Sequence, residues 1–275
     1  MKKLTSSFIK SILKTRNKNA HKGNFGHALL IAGNNHKIGA ALISSKACLR
    51  SGVGLLTTVI PQDEKLALQI AIPEAMVLFR ENEIKDVALF SALGIGPGIG
   101  TEKVETKLLK KILLKSNIPL VLDADALTIL AHNPSFLKLI PQGAIFTPHP
   151  KEFDRLFGEQ LNEKARREKA QQMATKLSII IVLKGHETFI CSSQSSYINT
   201  TGNVGLAKGG SGDALTGMIL AFLSQGYDPL AAASIAVFLH GLAADLSIQK
   251  QSVESLLITD VIEQIGQAFQ FVRKQ

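Results

Sequence analysis

The sequence predicts an α/β protein built on a mostly parallel sheet, and three observations support this. Short apolar runs alternate with helical patterns along most of the chain. Apolar residues make up 45% of the sequence and aromatic residues only 5%, so Ile, Leu, Val and Ala must build the core, as in sheets covered by helices. No linker rich in Pro, Gly or Ser divides the 275 residues, which predicts one domain over 1–275.

The predicted elements follow from the apolar spacing. A short amphipathic helix over 4–14 lies within a basic lead-in, 1–20, and a basic linker runs to about residue 22. The predicted strands are 28–32, 55–60, 76–79, 87–94, 119–122, 144–147 and 179–183, with a meander over 187–191 and 196–198. The predicted helices are 38–51, 63–71, 104–115, a short one opening at 123–125, one from 212, 231–246 and 260–272. Pro148 and Pro150 are expected to end the strand before them.

All of the excess positive charge lies in the first quarter of the chain. The net charge is +9, and residues 1–62 hold ten Lys or Arg but no Asp or Glu. Nucleic acid, an anionic ligand or a subunit contact could account for it. No aromatic platform or DNA-reading motif accompanies the charge, which argues against nucleic acid. A basic mouth that steers a phosphorylated small molecule, and scattered surface lysines, both remain open.

Targeting and redox signals point to a cytoplasmic protein. No apolar run reaches the length expected of a bilayer span, and the N-terminus lacks a secretory apolar core. Cys48 and Cys191 are far apart and lack metal-ligand spacing, so we interpret them as reduced and buried.

The segment 202–213 is the most informative in the sequence. It holds five glycines within eleven residues and runs directly into a helix with one apolar face. Glycines allow close approach to a ligand, and a helix N-terminus binds anions through free N–H groups and its partial positive charge. Asp213 lies where a phosphate would dock, either as a base or as an ordinary N-cap in a structural turn. No Walker-type phosphate loop is present.

Polar or glycine-rich loops follow the other predicted strands as well. In parallel sheets, ligands bind beyond the carboxyl ends of strands. His149 could serve the site or be a satisfied loop histidine, and Asp125 could serve it or cap a helix. The loops are 33–35, 39–41, 94–100, 123–125, 147–152 and 184–188.

Together these segments resemble the ribokinase-like superfamily, and within it the ADP-dependent NAD(P)H-hydrate dehydratases. The similarity covers nearly all of the chain from His21 onward. The segments that carry it are 21–26, 32–33, 39–41, 50–55, 73–76, 94–100, 122–125, 147–150, 183–186 and 199–217. The GGSGD sequence at 209–213 alone would indicate only the superfamily.

The resemblance implies a three-layer α/β/α ribokinase-like fold and a set of site residues. The implied anion hole is Gly209, Gly210, Ser211 and Gly212. The implied nucleotide-binding residues are Lys184, Gly185, His186, Glu187, Thr188 and Gly212. The implied contacts to the hydrated dinucleotide are Ala40, Gly98, His149 and Asp213, with Asp213 as the catalytic base. Magnesium would bridge nucleotide phosphates, with Glu152, and Asp123 or Asp125, holding its waters.

The implied reaction returns the S-form of hydrated NADH or NADPH (NADHX or NADPHX) to the intact coenzyme. ADP is the implied co-substrate, with ATP as a possible substitute, and AMP and phosphate are the products. The resemblance further implies a homotetramer, to which the Ala- and Ser-rich helix from Ala40 could contribute, and a separate epimerase, with no nucleic-acid or membrane partner. The alternatives are an ATP-dependent small-molecule kinase of the same superfamily and a non-catalytic nucleotide sensor.

Overall fold

A single sheet forms the centre of the computed structural model, which describes residues 2–82, 84 and 86–275. The strands in these residues are β1 (Lys2–Lys3), β2 (His27–Ile31), β3 (Leu55–Ile60), β4 (Met76–Phe79), β5 (Ala92–Ile95), β6 (Leu120–Leu122), β7 (Ile145–Phe146), β8 (Ile180–Leu183), β9 (Thr188–Cys191) and β10 (Ser196–Asn199). Their order across the sheet is β1-β10-β9-β8-β7-β6-β5-β2-β3-β4.

The sheet is parallel except at β9. Strands β8 and β10 both pair with β9 antiparallel, whereas the other neighbouring pairs in the described residues are parallel. The carboxyl ends of β2 and β5 to β8 therefore meet at one edge, and the loops that follow them lie side by side there. This confirms the predicted α/β class with a mostly parallel sheet.

Helices cover both faces of the sheet. They are α1 (Ser6–Ile12), α2 (Ile38–Arg50), α3 (Lys65–Ala71), α4 (Lys103–Lys115), α5 (Asp125–His132), α6 (Pro150–Phe157), α7 (Glu163–Leu177), α8 (Ser211–Ser224), α9 (Pro229–Ser247) and α10 (Ile258–Lys274). One apolar core lies between the sheet and α2, α8, α9 and α10, and a second lies between the sheet and α4 to α7. Sheet and helices thus form the three layers implied by the resemblance.

Three predicted elements need correction. The strand expected over 87–94 starts only at Ala92, because the Asp86 carboxylate accepts a hydrogen bond from the Ala88 N–H and turns Val87–Leu89 into a 3-10 helix. Pro148 and Pro150 follow the end of β7 as expected, but the two helices after them were not predicted: Pro150 begins α6, and α7 follows it. The lead-in helix is confined to Ser6–Ile12.

Helix α9 corrects the expectation that no apolar run is long enough to span a bilayer. It has 19 residues, and its most apolar window has a mean hydropathy of 1.6. However, 78% of that window is buried inside the protein, and α9 packs against α8 and α10 as a core helix does. Cys48 and Cys191 are buried and unpaired, as expected.

Candidate active site

Asp213 lies in the first turn of α8, at the carboxyl edge of the sheet. Gly210 is the N-cap of this helix and has a left-handed backbone with φ of 91°. A Cβ at Gly210 would lie 2.6 Å from Ile43 Cδ1, so glycine alone fits the turn. Since Gly210 occupies the cap position, Asp213 is the third helical residue rather than the N-cap, and its carboxylate is available for other chemistry.

The start of α8 leaves backbone donors free. In the part of the chain that the structure describes, no protein acceptor is paired with the N–H groups of Gly212 and Asp213. Ala214 is the first residue of α8 whose N–H makes the usual helical hydrogen bond to the carbonyl four residues earlier, that of Gly210, at 2.9 Å. Free N–H groups at a helix N-terminus, together with its partial positive charge, are suited to hold a phosphate.

A lysine and three carboxylates surround this helix start. The Lys184 ammonium donates to Asp123 Oδ1 at 2.9 Å and lies 4.0 Å from Glu152 Oε2. The second oxygen of Asp123, which is only 1% exposed, accepts from Thr216 Oγ1 at 2.8 Å. A Cβ on Gly212 would lie 3.1 Å from Lys184 Nζ, so the ammonium is directly beside the free N–H groups.

These neighbours change the protonation of Asp213. Burial, and then the negative charge of Asp123, raise the pKa of Asp213 to about 6, although Lys184 acts in the opposite direction. Burial lowers the pKa of Lys184, but the nearby carboxylates of Asp123 and Glu152 outweigh burial and raise it overall. Lys184 therefore stays charged near neutral pH, while Asp213 is a carboxylate poised to take a proton.

A cleft of about 510 Å³ opens next to Lys184. Of the predicted nucleotide-binding residues, the structure places Lys184, Gly185, His186, Thr188 and Gly212 in its wall. Glu187 does not line the cleft, because its carboxylate pairs with Arg167 at 3.3 Å. The other side chains in the wall include His149, Asn199, Thr201, Leu215, Val237 and His240. The volume is within the usual range of small-molecule sites.

His149 is the N-cap of α6. Its Nδ1 accepts hydrogen bonds from the N–H groups of Lys151 at 3.0 Å and Glu152 at 3.3 Å. Glu152 Oε2 in turn accepts from the His149 N–H at 2.8 Å. Because Nδ1 is committed to the helix, the ring can offer only Nε2 to a ligand. The histidine is therefore satisfied structurally on one side and available on the other.

Ala40 and Gly98, two of the residues expected to contact the dinucleotide, lie against each other. Gly98 has φ of +63°, and a Cβ there would lie 3.0 Å from the Ala40 side chain. Asp125 fixes the same loop, because its Oδ2 accepts from the Gly100 N–H at 2.9 Å. Neither Ala40 nor Gly98 lines the cleft beside Lys184. Lys37, 3.8 Å from Asp125, lies on this side as well.

Several site residues were missed from the sequence. Thr216, which holds Asp123, had a signal in its position one turn after Asp213 in an otherwise apolar helix. Arg80 had no signal in the sequence. It donates to the carbonyls of Ala32 at 3.0 Å and Ile99 at 3.1 Å, and so joins two of the loops that follow strands. Ala124, between the two aspartates, has an unusual positive φ of 49°.

Lys208 does not reach the phosphate site. Its ammonium donates to the carbonyls of Glu254 at 2.5 Å and Leu256 at 2.7 Å. It therefore fixes the glycine loop to the segment before α10. Asp245 fixes the other end of that loop by accepting from the Gly202 N–H at 2.8 Å.

The residues around Lys184 do not form a closed metal cage. Among the described residues, no three His, Cys, Asp or Glu side chains are close enough to hold a metal ion. Asp123 is occupied by Lys184 and Thr216. Glu152 Oε1 is less committed, since its nearest polar partner, His149 Nε2, lies 3.6 Å away. This donor set fits an ion held mainly by ligand phosphates and water.

Comparison with known proteins identifies the family of the chain. Residues 28–267 match the family described as NAD(P)H-hydrate dehydratase. The chain is 36% identical over 279 residues to the ADP-dependent (S)-NAD(P)H-hydrate dehydratase of Bacillus subtilis, covering 98% of that protein. It is 35% identical to the bifunctional NAD(P)H-hydrate repair enzyme of Vibrio cholerae, but spans only 51% of that longer protein.

A solved structure extends the match to the fold. The ADP/ATP-dependent NAD(P)H-hydrate dehydratase of Bacillus subtilis, co-crystallised with ATP and Mg²⁺, superposes with a TM-score of 0.89 at 32% identity, covering 98% of each chain. The predicted fold class and family are therefore confirmed. The protein belongs to the NAD(P)H-hydrate dehydratase family, whose members are hydro-lyases.

Proposed function

We propose that this chain converts the S-form of hydrated NADH or NADPH back to the intact coenzyme at the expense of ADP. The observation that carries the proposal is the position of Asp213. Its carboxyl, with a pKa raised to about 6, lies at free helix N–H groups beside Lys184 and a nucleotide-sized cleft. The names of the relatives support ADP as the co-substrate and the S-form as the substrate. ATP is a substitute suggested by the Bacillus subtilis enzyme, which was co-crystallised with ATP.

The proposed reaction uses ADP because the hydroxyl group of the substrate is a poor leaving group. The hydroxyl on the hydrated nicotinamide ring does not depart easily as hydroxide. Asp213 takes the hydroxyl proton while the oxygen attacks the terminal phosphorus of ADP, and the bond from that phosphorus to AMP breaks. The ring phosphate then leaves with the C–O electron pair as a neighbouring ring proton is lost. The products are the dihydropyridine, phosphate and AMP.

The other residues bind and orient the reactants. The free N–H groups at Gly212 and Asp213 and the Lys184 ammonium stabilise charge on the transferred phosphoryl group. Gly209, Gly210 and Ser211 shape the turn that presents them. The walls of the cleft at 185–188 hold the nucleotide, although Glu187 would act from outside the wall. Ala40, Gly98 and the free Nε2 of His149 contact the dinucleotide.

Magnesium fits this site as an ion carried by the nucleotide. Glu152 would hold its waters, whereas Asp123 is committed to Lys184 and Asp125 to the Gly100 N–H. The ion supplies neutralisation of phosphate charge when it is bound.

We propose that the protein is a cytoplasmic homotetramer that works with a separate epimerase, without nucleic-acid or membrane partners. The doubled length of the bifunctional relatives supports a second activity outside this segment. Ala41 and Ser45 of α2 are buried within the chain, so a subunit contact through this helix would have to use its other residues, such as Gly39 and Ala40. Leu66 and Ile70 on α3, 68% and 80% exposed, offer a better surface, beside the edge strand β4.

One assay tests the activity. The protein is incubated with S-form hydrated NADH and either ADP, ATP or no nucleotide, and recovery of the dihydronicotinamide absorbance is followed. We expect recovery that requires a nucleotide and releases one phosphate per coenzyme. A stable phosphorylated product would indicate the kinase alternative, and nucleotide binding without turnover would indicate a sensor.

A further inference from the structure

A second cavity, of about 640 Å³, lies far from Asp213. We call it the distal cavity. Its wall includes Arg50 and Gly52 at the end of α2, and Gln225 and Tyr227 just past the end of α8. Both helices begin at the candidate active site, and the 14 residues of α8 separate the two sites. At 1.5 Å per residue, that helix spans roughly 20 Å.

The wall of the distal cavity is strongly cationic. Four basic side chains line it, and its described wall contains no Asp or Glu. These four are Lys14, Arg16, Arg50 and Arg273. Three of them, Lys14, Arg16 and Arg50, belong to the basic first quarter of the sequence. Part of the excess charge therefore lies at the amino edge of the sheet, away from Asp213.

Most of these cations are held by neutral groups. Arg16 donates to the Gly52 carbonyl and to Gln225 Oε1 at 3.2 Å, and Lys14 Nζ donates to the Gly226 carbonyl at 2.7 Å. Arg273 donates to the Lys14 carbonyl at 3.3 Å. A carbonyl fixes a cation in place but does not neutralise it. Their charge is thus positioned but not compensated.

Of the four cations, Arg50 alone has a carboxylate partner among the described residues, and that partner is shared. Arg50 pairs with Glu263 at 2.5 Å, and Lys46 binds the other oxygen of the same carboxylate at 2.7 Å. Burial lowers the pKa of Arg16, Tyr227 opposes this, and the like charge of Arg273 adds a smaller lowering. Mutual repulsion of this kind is relieved when an anion binds between the cations.

Two of the four aromatic rings in the wall, Phe25 and Tyr227, are already covered by cations. The Arg16 guanidinium lies 3.9 Å from the Phe25 ring centre, and Lys14 Nζ lies 4.5 Å from that of Tyr227. These two rings therefore hold the cations rather than offering free faces to a stacked base. Amides of Asn17, Asn19 and other residues add neutral hydrogen-bond donors to the wall. We propose that the distal cavity binds a small anion with two or more phosphate groups.

Titration of the full chain with inorganic tripolyphosphate tests this proposal. Isothermal calorimetry should detect two sites per chain, one at the start of α8 and one in the distal cavity. The distal site should weaken steeply with salt because several cations surround it. The Gly212→Val variant, which obstructs the helix start, should lose one site and keep the other, and so identifies which signal is distal.

Variants that change the charge of the distal cavity without changing its shape test whether the second site lies there. Asn17→Asp with Asn19→Asp puts carboxylates into the wall, and the carboxylate at position 17 can still accept the backbone N–H of residue 19, which Asn17 Oδ1 accepts at 3.0 Å. The matched control is Asn162→Asp, since this N-cap of α7 is remote from the cavity and Asp caps equally well. We expect the double variant to weaken the distal site by about tenfold or more and the control to leave it unchanged.

A parallel titration with ADP separates the sources of phosphate. If only tripolyphosphate binds in the distal cavity, the ligand of the cavity is a free polyphosphate. If both tripolyphosphate and ADP bind there, the cavity accepts the phosphates of a nucleotide. A wild-type chain with one site for each probe, which Gly212→Val abolishes, overturns the proposal. So does a distal site that the double variant leaves unchanged. Dehydratase activity is not needed for any of these measurements, so the proposal can fail while the proposed function stands.

Discussion

The two edges of the parallel sheet use charge in opposite ways. At the carboxyl edge, α8 begins with free N–H groups, and carboxylates of Asp213, Asp123 and Glu152 crowd around Lys184. At the amino edge, α2 and α8 end, and Arg16 and Lys14 donate to carbonyls there. The carboxyl edge holds carboxylates close together near the positive N-terminus of α8. The amino edge places cations against the negative C-termini of α2 and α8.

The difference explains why only one edge is suited to proton transfer. Cations at helix C-termini are in a favourable field and stabilise the fold. Asp213 is instead partly buried among other carboxylates, which disfavours its charged form and raises its pKa. The strained backbone of Ala124, between Asp123 and Asp125, lies at the same edge. Poorly stabilised groups of this kind are typical of functional sites.

The largest effect that we expect is from Asp213→Asn. The amide has nearly the same shape but cannot take a proton, so turnover should fall by roughly 10³-fold, within the range of general-base losses. ADP binding, measured by calorimetry, should persist.

The matched control for this variant is Asp228→Asn. Asp228 caps α9 at the other edge of the sheet, and asparagine caps a helix equally well. It should keep full activity. If Asp213→Asn turns over at a wild-type rate, Asp213 is not the base.

Lys184→Gln tests how far the carboxyl edge depends on the ammonium that pairs with Asp123. The change leaves the 1% exposed carboxylate of Asp123 without its charged partner. We expect the free energy of unfolding to fall by about 2–4 kcal/mol, as for a broken buried ion pair. Urea denaturation measures it, with Lys176→Gln on the exposed end of α7 as the control that should change little. An equal, small change in both variants would contradict the role given to Lys184.

Gly212→Val tests the phosphate position. The new side chain would enter the space beside Lys184 Nζ, 3.1 Å from the Cβ position. We expect the Kd for ADP to rise by about 100-fold, because the isopropyl group fills the space beside the N–H donors and the loss corresponds to roughly one charged hydrogen bond. The control is Gly266→Val, at a helical position with open space around its Cβ. ADP affinity unchanged in Gly212→Val would refute the anion hole.

The smallest effect concerns stability. The pKa of Asp213 is raised from 3.8 to about 6 in the folded chain, so its charged form opposes folding above that pH. Asp213→Asn should therefore stabilise the protein at pH 8 by on the order of 1–2 kcal/mol. The gain should shrink as the pH falls through 6 and vanish only below the unfolded pKa of 3.8, where the carboxyl is neutral in both states. Thermal unfolding across this pH range measures it, and a destabilised variant at pH 8 would contradict the electrostatics.

The features that the sequence predicted are those with local signals. Runs such as residues 28–32 and 179–183 identify buried strands, and the glycines before Asp213 identify the anion site. Helices α6 and α7 were missed for physical reasons. Pro150 is as compatible with the first turn of a helix as with a loop, and α7 buries only Ala170 and Ala174, too little for an apolar stripe.

Contacts between distant segments had no such signal. Arg80 reaches carbonyls near residues 32 and 99, and Thr216 finds Asp123 across 93 positions of sequence. The positive charge of the lead-in was clear from the sequence, but its contacts were not. Only the tertiary fold places Arg16 against the ends of α2 and α8. Pairing of that kind depends on topology rather than on composition.

The pH dependence of turnover tests the role of Asp213 most directly. The rate of coenzyme recovery is measured between pH 5 and 8 with saturating ADP and hydrated NADH. Because the base must be ionised, we predict a rate that rises tenfold per pH unit below an inflection near pH 6 and is level above it. In Lys184→Gln the inflection should move to higher pH, since Lys184 lowers the pKa of Asp213. A wild-type rate that is constant across this range would contradict Asp213 as the base.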